Sequence, residues 1–286
     1  MKTYSGIKFF AIIVSIILLI PISINWYSFL INSFSDDIVG VSDTPLEFTV
    51  LTDSTAAVSK CRPEIENISI PENVHINGNE YTITSIKDQA FLSCHKLTNI
   101  KIPANVISIG SSAFKNCSNL TNIEIPASVT SIGSSAFENC SSLINIEIPA
   151  SVDSIGKSAF ENCSSLTNIK IPANVTSIEE RTFNGCSQLS NVEIPASITH
   201  IGNSAFQGCS SLKSIKIPEN VTKIEDLAFR FCSSLKSIKI PASVISIKKN
   251  AFEGCKNLDV VIDNSKDDVV VGEDTFKGCH SVRYTK

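Results

Sequence analysis

The sequence predicts an α/β-type solenoid, with short parallel strands alternating with short helical or 3-10 turns and a β cap at its N-terminal end. Three observations carry this. Phe137 recurs at Phe91, Phe114, Phe160, Phe183, Phe206, Phe229, Phe252 and Phe276. Cys140 recurs on the same beat, at Cys94, Cys117, Cys163, Cys186, Cys209, Cys232, Cys255 and Cys279, every 23 residues until a final step of 24. Pro126 repeats likewise at Pro103, Pro149, Pro172, Pro195, Pro218 and Pro241. A fixed period of this length marks stacked coils, each contacting mainly its neighbours.

The totals agree. In a chain of 286 residues, an apolar share of 43% is enough for a packed core. The net charge of −4 argues against a general nucleic-acid binder, which needs a concentrated basic footprint.

The first stretch, residues 1–31, is read as an N-terminal membrane anchor or signal segment. Lys2 and Lys8 precede an uncharged, mainly apolar run from Phe9 to Ile24, and Trp26 and Tyr27 follow at interfacial positions. Counted to Ile31, the run is long enough to span a bilayer, which takes about 20 residues. Cleavage after a signal is the other reading, with Ser33-Phe34-Ser35 a poor small-x-small site. In both readings the remainder crosses a membrane. Membrane contact is expected through residues 9–31, with the N-terminus held inside by its lysines.

Residues 32–45 form a polar, acidic linker. From Leu46 the pattern alternates: Leu46–Leu51 reads LEFTVL, and AAVSKC follows a Thr-Asp-Ser break. Residues 46–70 are therefore expected to be a β cap over the open end of the array, and residues 71–286 a solenoid of nine units. Pro71 to Pro103 is 32 residues, longer than the period, with the excess around His75–Ile83. Asn77-Gly78 between alternating apolar residues predicts a projecting hairpin there.

Within one unit, Ile123 and Ile125 share one face of a short strand and Glu124 points away. Pro126 lacks a ladder donor and ends the strand. Val129 and Ile132 return inward, and Ser134 to Asn139 is expected to form a turn of helix or 3-10 structure burying Ala136 and Phe137. The position ahead of each cysteine reads Ser93, Asn116, Asn139, Asn162, Gly185, Gly208, Phe231, Gly254 and Gly278. Asparagine alternating with glycine predicts a left-handed backbone there.

In Leu120-x-x-Ile123-x-Ile125 the unit resembles the strand half of a leucine-rich repeat. With I-x-I-P, a V-x-x-I step, S-A-F and N/G-C-x-x-L in that order, the units are similar to BspA-type leucine-rich repeats over about residues 46–286. The resemblance implies a surface or secreted protein with an interaction or adhesion role, and identifies no ligand. The last unit departs from the pattern: Val260-Val261-Ile262 lacks the proline, consistent with a closing repeat.

No catalytic residue, metal ligand or cofactor is predicted. No G-x-S-x-G, P-loop, dinucleotide or calcium-loop signature occurs. The histidines, His75, His95, His200 and His280, share no spacing. The cysteine column is read as an inward ladder of thiols, since a linear row cannot converge on a metal and free cysteine is commonly buried. Cys61, off the beat, is placed to bridge Cys94 or to stay free. Partner binding is expected on the strand face, through Lys101, Glu124, Glu147, Lys170, Glu193, Lys216 and Lys239, flanked by Asn99, Asn122, Asn145, Asn168, Asn191, Ser214 and Ser237. The repeat motif also generates Asn-x-Ser/Thr sequons, among them Asn67, Asn116, Asn119, Asn139, Asn162, Asn174 and Asn220.

The expected function is a non-catalytic, surface-exposed interaction protein. It would bind a protein or glycoprotein and no nucleic acid, and would be anchored at the cell surface, or secreted if the segment is cleaved. An architectural coat protein without a specific ligand is the alternative, and an enzyme scaffold a weaker one.

Overall fold

The computed structural model describes residues 38–40 and 44–286. The predicted anchor or signal segment, residues 1–31, lies outside the described residues. Among the described residues no helix is long and apolar enough to cross a membrane. A short strand, Ile38–Gly40, falls within the stretch expected to be a linker.

Most coils carry two strands, where the sequence pattern marked one. The first comes from the I-x-I-P motif: Asn99–Lys101, Asn122–Glu124, Asn145–Glu147, Asn168–Lys170 and Asn191–Glu193 stack in parallel, with Asn67–Ser69 at the near edge. Their isoleucines face inward, Ile100 and Ile123 each 2% exposed, which leaves the residues on either side in solvent. The second ladder uses the two-residue strands Ser108–Ile109, Ser131–Ile132 and Ser154–Ile155, and resumes at Ser177–Ile178 to run through to Val270–Val271. Between the two strands the proline carbonyl closes a turn, accepting from Val129 N–H at 3.0 Å in the unit of Pro126.

The stretch expected to be helical is not a helix, and none occurs among the described residues. Ser135 and Asn139 have φ of +56° and +61°, outside the right-handed helical region. The amides alternate instead. Ser135, Phe137 and Asn139 donate to Lys157, Ala159 and Glu161 of the next coil, each at 2.8 Å. Ala136, Glu138 and Cys140 donate within the coil to the carbonyl three residues back. A helix would close all these bonds on itself and leave none of them to join one coil to the next. The predicted left-handed column is present from Ser93 to Gly278, and a second one runs through Gln89, Ser112, Ser135, Ser158, Arg181, Ser204, Leu227, Asn250 and Asp274.

The core is a set of columns. The nine phenylalanines stack with ring centroids 4.9 to 5.8 Å apart and interplanar angles of 3° to 15°. All ten cysteines are free thiols, and the eight from Cys94 to Cys255 are buried. Their S–H groups point along the stack: Cys140 Sγ donates to Phe114 O at 3.2 Å, and Cys163 Sγ to Phe137 O at 3.1 Å. The inward thiol ladder is thus a row of weak hydrogen bonds between coils. Cys61 is also free, and its thiol donates to the Arg62 carbonyl at 3.5 Å.

At the N-terminal end, Leu46–Val50 pairs antiparallel with Thr55–Cys61, burying Leu46, Phe48, Ala56 and Val58. Thr55–Cys61 lies parallel to Asn79–Ile86. The predicted hairpin has Asn77 and Gly78 at φ of +52° and +84°, and it joins Asn73–Ile76 to Asn79–Ile86. It does not simply project: Ser85 and Ile86 pair with Ser108 and Ile109 and so begin the second ladder.

Candidate interaction face

Every predicted face residue is exposed: Lys101, Glu124, Glu147, Lys170, Glu193, Lys216 and Lys239. Their orientation follows from the buried isoleucine at each strand centre, since neighbours along a strand point to opposite sides. Register places like charges together as well as unlike. Glu124 and Glu147 are directly paired across adjacent strands, as are Lys170 and Glu193. Lys170 Nζ lies 3.8 Å from Glu193 Oε2, with the two side chains 80% and 61% exposed. Such a pair contributes about 0 to 1 kcal/mol, so the charges on this face do little for the fold. Lys239 Nζ lies 3.1 Å from Asp263 Oδ2, and Asp263 is held below the usual carboxylate range by the Thr285 hydroxyl and by Lys239.

The flanking amides form a second row, with Asn67, Asn99, Asn122, Asn145, Asn168 and Asn191 in register. Some are tied locally: Thr167 Oγ1 donates to Asn145 Oδ1 at 3.3 Å, and Asn168 Nδ2 donates to Thr167 Oγ1 at 2.9 Å.

The face is not uniform. Glu147, Lys170 and Glu193, with Asn145, Asn168 and Asn191, line one shallow groove of about 570 Å³. Lys216 and Lys239, with Ser214 and Ser237, line a separate one of about 330 Å³. Lys101 and Glu124 line neither. At the second groove the strand ladder is interrupted, because no strand forms at Ser214–Ile217. Another groove, of about 650 Å³, runs along the second ladder between Asp88, Asp153 and Lys157, over the glycines Gly110, Gly133 and Gly156. A Cβ added at Gly133 would sit 2.5 Å from the backbone of Gly110 and Ser111, so the coils pack backbone to backbone there.

Two exposed lysines beside the face escaped the strand pattern, Lys213 and Lys236. They replace the Thr98, Thr121, Ile144, Thr167 and Ser190 of earlier coils, and that substitution in the column was the available signal. His280 Nδ1 pairs with Asp259 Oδ1 at 2.7 Å, and His200 lies on the second ladder, so the histidines remain scattered.

Parallel strands at a fixed period, a continuous aromatic column and coils closed by turns define a parallel-strand solenoid of the leucine-rich repeat type. A family profile described as the BspA type leucine rich repeat region, 6 copies, matches residues 84–211 and 154–283. The chain belongs to this BspA-type leucine-rich repeat family. Among solved structures it is similar to a leucine-rich repeat protein from Bacteroides ovatus, with 32% identity, a TM-score of 0.75, and coverage of 86% of this chain and 71% of that one. A leucine rich repeat protein from T. pallidum is 23% identical with a TM-score of 0.47, over 85% of this chain and 89% of that one. A leucine rich cell surface protein from Faecalibacterium prausnitzii is also 23% identical, with a TM-score of 0.40, over 87% and 95%. No match is found among curated proteins.

Proposed function

We infer that this chain is a non-catalytic surface protein that binds another macromolecule through its strand face. Residues 1–31 would tether it to the membrane with the repeats outside, and the Leu46–Cys61 strand pair would cap the array. One observation carries the reading: a row of exposed charged side chains in register, backed by amides, none of which the core needs. Membership of a repeat family whose coils present extended surfaces supports it.

The test is attachment of cells displaying the full chain to protein-coated and glycoprotein-coated surfaces. Two variants are compared with the parent, Glu124→Lys/Glu147→Lys/Glu193→Lys and Lys216→Glu/Lys239→Glu. At least one should lose most of its attachment while its denaturation midpoint stays within that of a surface change, about 0.5 kcal/mol per site. Normal attachment by both would remove the strand face from consideration. Protection of the repeats from protease added outside intact cells would contradict the topology.

A further inference from the structure

The array changes sign along its length. Residues 116–212 carry eight acidic and three basic side chains, whereas residues 213–256 carry four acidic and nine basic. Four of those nine fall at the same two positions of consecutive coils: Lys213 and Lys216, then Lys236 and Lys239. All four are exposed. Lys236 N–H donates to Lys213 O at 3.5 Å, which sets the two coils side by side. Among the described residues only Lys239 of the four has an acidic partner, Asp263. Neighbouring coils lie about 5 Å apart, so these ammonium groups repel one another unless an anion sits among them.

The strand ladder also stops here. It ends at Asn191–Glu193 and restarts at Ser237–Ile240. Among the described residues no backbone hydrogen bond joins Ser214–Ile217 to either neighbouring coil. Peptide N–H groups, two serine hydroxyls and the Lys216 and Lys239 ammonium groups therefore border one groove of about 330 Å³. Lys239 is paired with Asp263 and Glu219 also lines the groove, but among the described residues the Lys216 ammonium and the Ser214–Ile217 peptide N–H groups have no acceptor, and such donors call for one from outside.

We propose that Lys213, Lys216, Lys236 and Lys239 form a binding site for a linear sulfated polysaccharide, which crosses the strand face at the break in its ladder. The proposal rests on the strand-face reading and names the ligand class for one part of that face. Sulfate esters stay ionised at physiological pH, accept hydrogen bonds from ammonium, hydroxyl and amide donors alike, and recur along a flexible chain. The patch is narrow, with Glu193 on one side and Asp259 and Asp263 on the other. Those carboxylates repel a duplex or an anionic bilayer laid along the array, but leave room for a chain that crosses it. The patch also lacks the aromatic platforms on which single-stranded bases stack.

The test is affinity chromatography of the full chain on heparin, the sulfated polysaccharide used as probe. The parent should be retained at physiological ionic strength. Lys213→Gln/Lys216→Gln/Lys236→Gln/Lys239→Gln should pass through unretained at that ionic strength, and in lower salt, where residual binding is measurable, its salt dependence should be shallower by about three counterions, as for linear polyanions generally. Neutralising Lys96, Lys157, Lys249 and Lys277 instead removes as much charge elsewhere and should leave elution close to that of the parent. Failure of the parent to bind, equal retention of the quadruple variant, or stronger competition by single-stranded RNA or phosphatidylserine vesicles than by free heparin would each overturn the proposal. If the parent ignores heparin while Lys216→Glu/Lys239→Glu still abolishes attachment, the glycan is wrong and the strand face stands.

Discussion

At the scale of single residues, the left-handed position ahead of each cysteine shows what stacking demands of a side chain. Asn139 has φ of +61°, donates from Nδ2 to Asn116 Oδ1 at 2.8 Å, and accepts from Asn162 Nδ2 at 3.0 Å. Asparagine tolerates this backbone and also links three coils through its amide. The row stops at Gly185, where an added Cβ would lie 2.2 Å from Asn162 Oδ1. Phe231 occupies the same position with φ of +61°, and its ring takes the space that a Cβ at Gly254 would fill, 2.4 Å from its Cδ1. A bulky residue is tolerated because the next coil has none, and Arg230 covers the ring at 4.3 Å. These observations separate two substitutions at Asn139. Glycine keeps the backbone and loses two amide bonds, at a cost of about 1 to 2 kcal/mol. Alanine loses the same bonds and adds about 1 kcal/mol of left-handed strain. Urea denaturation should rank parent, Asn139→Gly and Asn139→Ala in descending order of stability; equal stability of the two variants would mean that the backbone there is not strained.

At the scale of the element, the thiol column is a titratable rod. Burial pushes Cys140, Cys163, Cys209 and Cys232 well above the ordinary thiol value of 9.0, and carries Cys117 and Cys279 up to about 12. A pKa raised by folding means that the folded state keeps its protons while the unfolded chain ionises. Stability is therefore complete below pH 9 and falls as pH rises toward the folded values, by about 1.4 kcal/mol per pH unit for each such thiol. The denaturation midpoint should be level to about pH 8 and drop steeply from pH 9 to 11. Cys163→Ala should show a shallower drop by one thiol's share, and an unchanged slope would place the alkaline loss elsewhere. The inward thiol ladder was legible because each cysteine from Cys94 to Cys255 has a phenylalanine three residues before it and a leucine three residues after it. The turn beside it was not. Its first left-handed position holds Gln89, Ser135, Arg181 and Leu227, and no shared chemistry among them announces a positive φ; the bonds to the next coil impose it. On the strand face, Glu147, Lys170 and Glu193 could be picked from the sequence, since inward isoleucines force them out. The break at Ser214–Ile217 could not, because Ile215 and Ile217 keep the motif intact and only the backbone bonds are lost.

At the scale of the whole array, continuity is shared unequally among its columns. The strand ladder is interrupted at Ser214–Ile217, and the second ladder between Ser154–Ile155 and Ser177–Ile178. The phenylalanine column passes both breaks without a gap: Phe160 to Phe183 at 5.6 Å, Phe183 to Phe206 at 5.4 Å and Phe206 to Phe229 at 5.3 Å. Turn amides cross as well, Ser158 N–H donating to Glu180 O at 2.8 Å and Phe160 N–H to Thr182 O at 2.9 Å. In a nearest-neighbour array, one folding transition persists only while each interface outweighs the cost of an end. Phe183 is fully buried at the broken stretch of the second ladder, and Phe114 is equally buried where both ladders are whole. Truncation of either to alanine removes a similar contact, at a cost of about 3 to 5 kcal/mol. The consequences should differ. Phe114→Ala should lower the midpoint and keep a single transition, because two strand ladders still hold its coil to both neighbours. Phe183→Ala leaves the turn amides and one intact ladder to carry the junction, so the N-terminal and C-terminal coils should unfold separately. Native-state hydrogen exchange read by mass spectrometry distinguishes the outcomes: two protection levels meeting near residue 183 in Phe183→Ala, against one level in Phe114→Ala. A single level in both would show that the backbone bonds of the turns alone make the array cooperative.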